Sequence, residues 1–467
     1  MAQVFMEAVS TEEKESLPAY RAITDPDRIK TYSQWVDNDA AKWAFDLYGR
    51  AWKIAHPNSE KTSYYIALVS GGNHAEVGFK LVTDSGKQSF PTMSYIKLDP
   101  DPSVFKTVLL HETGHMVLAI FNEGKKIPQK GIASVPHTTA ALTDRGTAFD
   151  EGFAIHLETL AAHFLKDPDI QSRYNHQNFQ FGVPLMLGEY HRIAGDLLSY
   201  SQTSTRYHEV RENYFAFASA YKECDYFRVQ LEKSRDFSEL RDANQLLQSE
   251  GFYASFFFAY LIRGSHQTFD EEVKARQNKM LLVLAELLKG GESSADTPFL
   301  LNFVKEHQKE YPEEQKEILD VLLDLSHGVF VEGEAGKYWK DHYLASLSMN
   351  MAETKNTRIE EARERWRKEA LENSTILFSL LGPQVAVEVP SKSILLIAFE
   401  EAAPLAFDVN TAEEGILRCI PGISQPEISS WLNQRKIKPF TDFNDFQTRS
   451  GLSKIVLKEI LPSQPAE

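Results

Sequence analysis

Residues 108–120 read VLLHETGHMVLAI, and three ionisable side chains lie in the middle of this apolar run. The flanking Val, Leu, Met, Ala and Ile residues are typical of a buried helix. Burying polar or charged side chains without partners is costly. His111, Glu112 and His115 therefore need a specific partner inside the fold.

A metal ion is the partner that these three residues predict. Residues i and i+4 share one face of a helix, so His111 and His115 can present both imidazoles to one ion. Neutral imidazole is a common zinc ligand, and a catalytic zinc has three protein ligands and a water molecule. The pattern predicts one Zn²⁺ ion, with Glu112 as the base that takes a proton from the bound water. The alternative is a helix whose histidines are hydrogen-bonded to their neighbours.

A third ligand is expected in residues 147–160, TAFDEGFAIHLETL. Glu151 and Glu158 lie two turns apart on one face of this second predicted helix. Residues 248–261 repeat part of the pattern at Glu250, which competes as the third ligand. Glu151 is preferred because it has the spaced Glu158 and lies nearer the first helix, whereas Glu250 is typical of a carboxylate at a helix start.

Together, the HExxH helix and the following E-G-F-A helix resemble the gluzincin metallopeptidases, especially the aminopeptidase N branch. This resemblance implies a zincin-like core, zinc bound by His111, His115 and Glu151, and Glu158 orienting a histidine. It implies a zinc-dependent peptidase with a peptide or protein substrate. Residues 90–98, FPTMSYIKL, lack the acidic residue that holds a free amino group in that branch, which favours an endopeptidase.

Further residues are candidates for the border of such a site. An oxyanion in this chemistry needs a hydrogen-bond donor, and the candidates are Tyr207, Tyr214 and Tyr253. The histidines that could border the site are His137, His156, His176, His191, His208 and His266.

The overall pattern predicts an α+β fold that is mostly helical. After an N-terminal helical segment, three strand-like runs at 63–70, 75–83 and 92–98 predict a small antiparallel sheet. Apolar residues then recur at helical spacing. The predicted units are 1–100 (helical segment and sheet), 101–275 (remainder of the zincin core), 276–372 (helical domain), 373–407 (linker or strands) and 408–467 (tail).

The tail, 408–467, contains predicted helices joined by Pro-Gly-Ile at 421–423 and Ser-Gly-Leu at 450–452. It resembles the tandem helix-hairpin-helix domain of bacterial competence DNA receptors, which implies phosphate contacts through the amides near Gly422 and Gly451. Seven basic residues are matched by eight acidic ones. DNA binding is therefore not favoured by charge, and a packing or protein-interaction module is the alternative.

Composition limits the other functions. The 467 residues carry a formal charge of −16, which opposes broad attraction to nucleic acid or anionic lipid. The two cysteines, Cys224 and Cys419, cannot form a thiolate metal site or a disulfide scaffold. No apolar run predicts a membrane span. The N-terminus lacks a signal-peptide pattern, which indicates a cytoplasmic protein as written, or a secreted or periplasmic one if it is a mature form.

Two alternatives to the peptidase prediction remain. One is a zincin fold with little or no activity that serves as a scaffold or binding protein. The other is a DNA-associated protease recruited through the tail.

Overall fold

The structure is a computed structural model of the chain. It describes residues 2–9, 16–59, 62–83, 86–129, 145–165, 167–170, 243–247, 250–263, 268–293, 297–326, 330–331, 368, 384–389, 403–410, 414–417, 420 and 422–462. The fold is α+β with a helical majority, as predicted.

A five-stranded sheet that closes on itself forms the N-terminal part of the structure. Its strands are β1 (Ala2–Ala8), β2 (Ala19–Ala22), β3 (Ser63–Leu68), β4 (His74–Thr83) and β5 (Gly86–Leu98). The order is β1-β2-β4-β5-β3, and β3 pairs with β1 to complete the closure. Aromatic side chains fill the interior, where the Tyr20 and Tyr95 hydroxyl oxygens lie 3.3 Å apart.

This sheet corrects the prediction of a small antiparallel sheet that follows a helical segment. Three of its five pairs are parallel, namely β1–β3, β2–β4 and β3–β5. The first two strands lie where helix was expected. Parallel pairing needs a long crossover, and here two helices connect β2 to β3. Patterns local to the sequence do not reveal such a distant partner.

Helices form the rest of the core. Their bounds are α1 (Pro26–Trp35), α2 (Asp39–Ala55), α3 (Pro102–Thr107), α4 (Leu109–Phe121), α5 (Arg145–Phe164), α6 (Ala243–Leu247), α7 (Glu250–Ile262), α8 (Glu271–Leu288), α9 (Phe299–Glu310) and α10 (Gln315–Ser326). In the part of the chain that the structure describes, no helix is both long and apolar enough to cross a membrane.

A second sheet joins the predicted linker to the tail. Strands β6 (Gln384–Val389), β7 (Ala403–Asp408) and β8 (Ile460–Pro462) pair antiparallel in the order β7-β6-β8. Between β7 and β8 lie α11 (Glu414–Leu417), α12 (Gln425–Ile437), α13 (Phe443–Arg449) and α14 (Lys454–Glu459). The tail therefore returns to strands that precede it in sequence.

Helix α4 is fixed between the closed sheet and α5. On one side, the Tyr64 hydroxyl lies 2.5 Å from Thr113 Oγ1. On the other side, a Cβ atom added to Gly114 would lie only 2.9 Å from Ala154 Cα. The glycine inside α4 is explained by this close approach, because any side chain there would separate the two helices.

We expect Gly114→Val to destabilise the protein by about 1–3 kcal/mol, because the added side chain forces α4 away from α5. The matched control is Gly49→Ala in α2, where an added Cβ meets no atom within 4 Å. The control should be neutral or stabilise by up to about 1 kcal/mol through helix propensity. Urea unfolding of both variants checks this, and equal stabilities would contradict the close-packing explanation.

Candidate metal centre

Two imidazoles from α4 and one carboxylate from α5 converge on a single point. His111 Nε2 and His115 Nε2 lie 3.2 Å apart. Glu151 Oε2 lies 3.4 Å from His111 Nε2 and 3.7 Å from His115 Nε2. These three residues form the cluster of possible metal ligands found among the described residues.

The three distances fit a small tetrahedral ion. Zinc binds imidazole nitrogen and carboxylate oxygen at about 2.0–2.2 Å, so tetrahedral zinc ligands lie about 3.3–3.5 Å from one another. The observed separations between ligand atoms, 3.2, 3.4 and 3.7 Å, lie within or close to this range. The donor set, two imidazoles and one carboxylate, is also one that zinc accepts.

Two further carboxylates lie behind the histidines. Glu158 Oε1 lies 3.3 Å from His111 Nδ1, which is the place expected of a residue that orients a ligand. Asp150 Oδ1 lies 2.9 Å from His115 Nδ1, and Gln129 Nε2 donates to the other Asp150 oxygen at 3.0 Å. The role of Asp150 was missed in the sequence. Its position directly before Glu151 was the available signal.

The cluster holds more negative than positive groups. Burial alone would lower the pKa of His111, but the carboxylates of Glu158 and Glu151 raise it well above its ordinary range. Burial also opposes protonation of His115, yet Asp150 and Glu151 raise the pKa of His115 to about 9. Without an ion, the carboxylates favour the protonated form of both histidines. A divalent cation would supply this positive charge instead.

Glu112 lies beside the cluster and is buried. Its Oε2 accepts a hydrogen bond from the backbone N–H of Ala75 at 2.7 Å. Burial raises the pKa of Glu112, although both histidines act against this rise. The carboxylate therefore ties α4 to the start of β4.

A cleft of about 510 Å³ opens on the cluster. Its lining includes the first residues of β4, the three candidate ligands and the segment after α4. Glu76 on β4 forms ion pairs with Lys126 at 3.0 Å and Lys97 at 3.6 Å, which connect the sheet to the segment that follows α4.

The competing third ligand lies elsewhere. Glu250 begins α7 and is buried, and it does not belong to the cluster. Helix α7 packs closely on α5, because a Cβ atom added to Gly152 would lie 2.6 Å from the Glu250 carbonyl oxygen and would contact Tyr253. Tyr253 is buried against Phe149, with ring centroids 5.8 Å apart.

His156 faces the apolar core between α5 and α7 rather than the cluster of candidate ligands. Its ring lies 5.5 Å from that of Phe257, and its Nδ1 contacts the Phe153 carbonyl oxygen. The other candidates at the border of the site lie outside the described residues, namely His137, His176, His191, His208, His266, Tyr207 and Tyr214.

In the tail, both predicted turn glycines adopt left-handed backbone conformations. Gly422 has φ 77° and Gly451 has φ 76°. Two residues after each glycine, the amides of Ser424 and Ser453 donate to the two Glu427 oxygens at 2.9 and 2.8 Å. Hydrogen bonds from the Ser424 side chain and from these backbone amides lower the pKa of Glu427 to about 2. Two of the amides near these turns are therefore already bonded to a carboxylate.

Comparison with known proteins concerns the tail. A family model described as type II secretion system (T2SS), protein K matches residues 407–464. No curated protein and no solved structure matches the chain.

This match contradicts the peptidase prediction. It points to a component of a secretion system rather than a gluzincin metallopeptidase or another hydrolase, and the matched tail family is not that of the competence DNA receptors. The peptidase prediction failed because two histidines and a glutamate specify which ion can be bound, and do not specify which reaction follows. The scaffold and DNA-associated protease alternatives receive no support either. The catalytic role of Glu112 depended on the hydrolase prediction and is not carried further.

The buried His156 predicts a pH dependence. Burial lowers the pKa of His156 to about 3, so the unfolded chain takes up a proton near pH 6.5 while the folded protein does not. The unfolding free energy should fall as the pH drops below 6.5, with a contribution from this residue of about 1.4 kcal/mol per pH unit. His156→Leu should make the dependence between pH 6.5 and 5 shallower by that amount. Parallel curves for the variant and the wild type would contradict the assignment.

Proposed function

We propose that this chain is a component of a protein-secretion assembly that uses its tail to bind another protein of the assembly. The observation that carries the proposal is the family match at residues 407–464. The protein named in that match is a type II secretion system protein, so the partners expected here are secretion-machinery proteins rather than peptide substrates.

The tail has the properties of a protein-binding module. We assign it a helix-hairpin-helix-like arrangement, since left-handed glycines at 422 and 451 connect its short helices. Its core is buried around Trp431, whose indole N–H donates to the Val409 carbonyl oxygen at 2.9 Å. Because Glu427 occupies the amides beside both turns, protein surfaces are better partners for this tail than DNA phosphates.

A role in secretion also bears on the compartment. Secretion systems work at the cell envelope, and this favours the secreted or periplasmic option over the cytoplasmic one. The scarcity of cysteine is compatible with an oxidising compartment but does not require it.

The closed sheet and the α4–α5 pair form a zincin-like core in this proposal, with one Zn²⁺ held by His111, His115 and Glu151. Glu158 and Asp150 would orient the two histidines. The support is the convergence of three ligand atoms within 4.8 Å and the excess of buried carboxylates around them. When bound, the ion would supply the positive charge that these carboxylates lack and would join α4 to α5.

The secretion role is tested by deleting the gene in its native host and measuring the proteins released into the medium. We expect release of at least one secreted protein to fall, and the wild-type gene to restore it. Trp431→Ala should not restore it, because the tail loses its buried core and about 3–5 kcal/mol of stability. Ile29→Ser, a substitution at an exposed residue of α1, serves as the control and should restore release. Unchanged secretion in the deletion strain would refute the proposal.

The metal centre is tested by metal analysis of the purified full chain. We expect one zinc per chain, and its loss in His111→Ala and in Glu151→Ala. His74→Ala is the matched control, because this histidine lines the same cleft but is not in the ligand cluster. Free zinc at about 100 times its dissociation constant should stabilise the wild type by about 2.7 kcal/mol. Wild-type protein that binds no zinc would refute the site.

A further inference from the structure

The two most exposed isoleucines of the described residues lie in the tail. Ile437 is 77% exposed and Ile455 is 74% exposed. Ile437 ends α12, and lysines precede and follow it. We name Lys436, Ile437 and Lys438 the tail tip. An aliphatic side chain that protrudes between two cations is suited to an apolar pocket with an acidic border.

The tail tip carries a local positive charge, although the tail as a whole has one more acidic than basic residue. Two of its carboxylates are engaged internally, Glu427 at the turns and Asp445 in an ion pair with Arg449 at 2.7 Å. Lys436 forms no ion pair within the described residues, whereas Lys438 lies near enough to Asp445 to lower the pKa of that carboxyl. The tip therefore presents positive charge, compensated in part at Lys438, on a chain that is otherwise strongly acidic.

A groove on the main body has complementary properties. It has a volume of about 580 Å³ and lies among the ends of α2 and α4, strand β5 and helix α8. Met93, Ile120 and Phe121 contribute apolar lining, and Glu123 and Glu286 contribute carboxylates beside one lysine, Lys289. The Glu123 carboxylate accepts a hydrogen bond from the Gly290 N–H at 3.1 Å. Leu282, which also lines the groove, is 47% exposed in the single chain.

We propose that the tail tip of one copy of this chain occupies the groove of a second copy. Ile437 would contact the apolar lining, and the two lysines would approach Glu123 and Glu286. The tip does not fill the groove of its own copy, because Ile437 is 77% exposed. Glu286 now pairs with Lys289 at 3.3 Å, and an exposed pair of this kind exchanges partners at little cost.

This contact joins two different surfaces, so it repeats from copy to copy and leaves an open tip and an open groove at the ends. It requires neither the zinc centre nor a secretion partner. Self-association should therefore grow with concentration and weaken with salt, because the lysine–glutamate contacts are screened.

The test is sedimentation of the purified full chain from about 1 to about 100 µM, at about 0.05 and about 0.5 M salt. We expect the average mass to rise with concentration, more strongly at low salt. Ile437→Ser should weaken association about tenfold or more, because burying one isoleucine stabilises a contact by about 1.5–3 kcal/mol. Ile455→Ser is the matched control, with equal exposure outside the tip, and should associate like the wild type.

Charge reversal tests the pairing itself. A Lys436→Glu and Lys438→Glu double variant should fail to self-associate, and so should a Glu123→Lys and Glu286→Lys double variant. A mixture of the two should associate, because the reversed tip of the first fits the reversed groove of the second. Circular dichroism verifies that each variant is folded.

Three outcomes would overturn the proposal. The first is a wild-type chain that stays monomeric throughout the concentration range. The second is association that depends on Ile455 and not on Ile437. The third is binding of the tip to phosphatidylglycerol vesicles without self-association, which would identify a lipid surface as its partner.

Discussion

The close approach of α4 and α5 at Gly114 is the constraint on which the cluster of candidate ligands depends. Packed helices usually lie 8–10 Å apart, depending on the side chains between them. Here the absence of a side chain at Gly114 lets Ala154 reach the backbone of α4. That contact places Glu151, less than one turn earlier on α5, within 3.4 Å of His111. A larger residue at 114 would widen the gap and separate the carboxylate from the imidazoles.

The same contact creates an electrostatic problem. Asp150, Glu151 and Glu158 are brought against two histidines in a place where water is largely excluded. The raised histidine pKa values show how the chain balances this charge on its own. A divalent cation held by the three candidate ligands would also balance it, and for this reason we propose a metal site here.

The features that could be predicted from the sequence are those set by residue patterns over a few neighbouring positions. Strands β3, β4 and β5 were expected from alternation, and His111 and His115 were paired by their spacing on one helix. The strands at 2–8 and 19–22 were missed, and although they pair with each other, each also has a parallel partner far along the chain that local patterns do not reveal. Asp150 and Glu427 were missed because their roles depend on contacts between elements. The peptidase assignment was wrong since ligand spacing describes binding and not reaction, and the matched tail points to secretion instead.

X-ray absorption at the zinc edge of the purified full chain is the direct test of zinc bound by two imidazoles and a carboxylate, because it reports the atoms around the ion. We expect a first shell of nitrogen and oxygen at about 2.0–2.2 Å with the outer-shell signature of two imidazoles. Sulfur in the first shell, or a shell without imidazole, would contradict the assignment of His111 and His115.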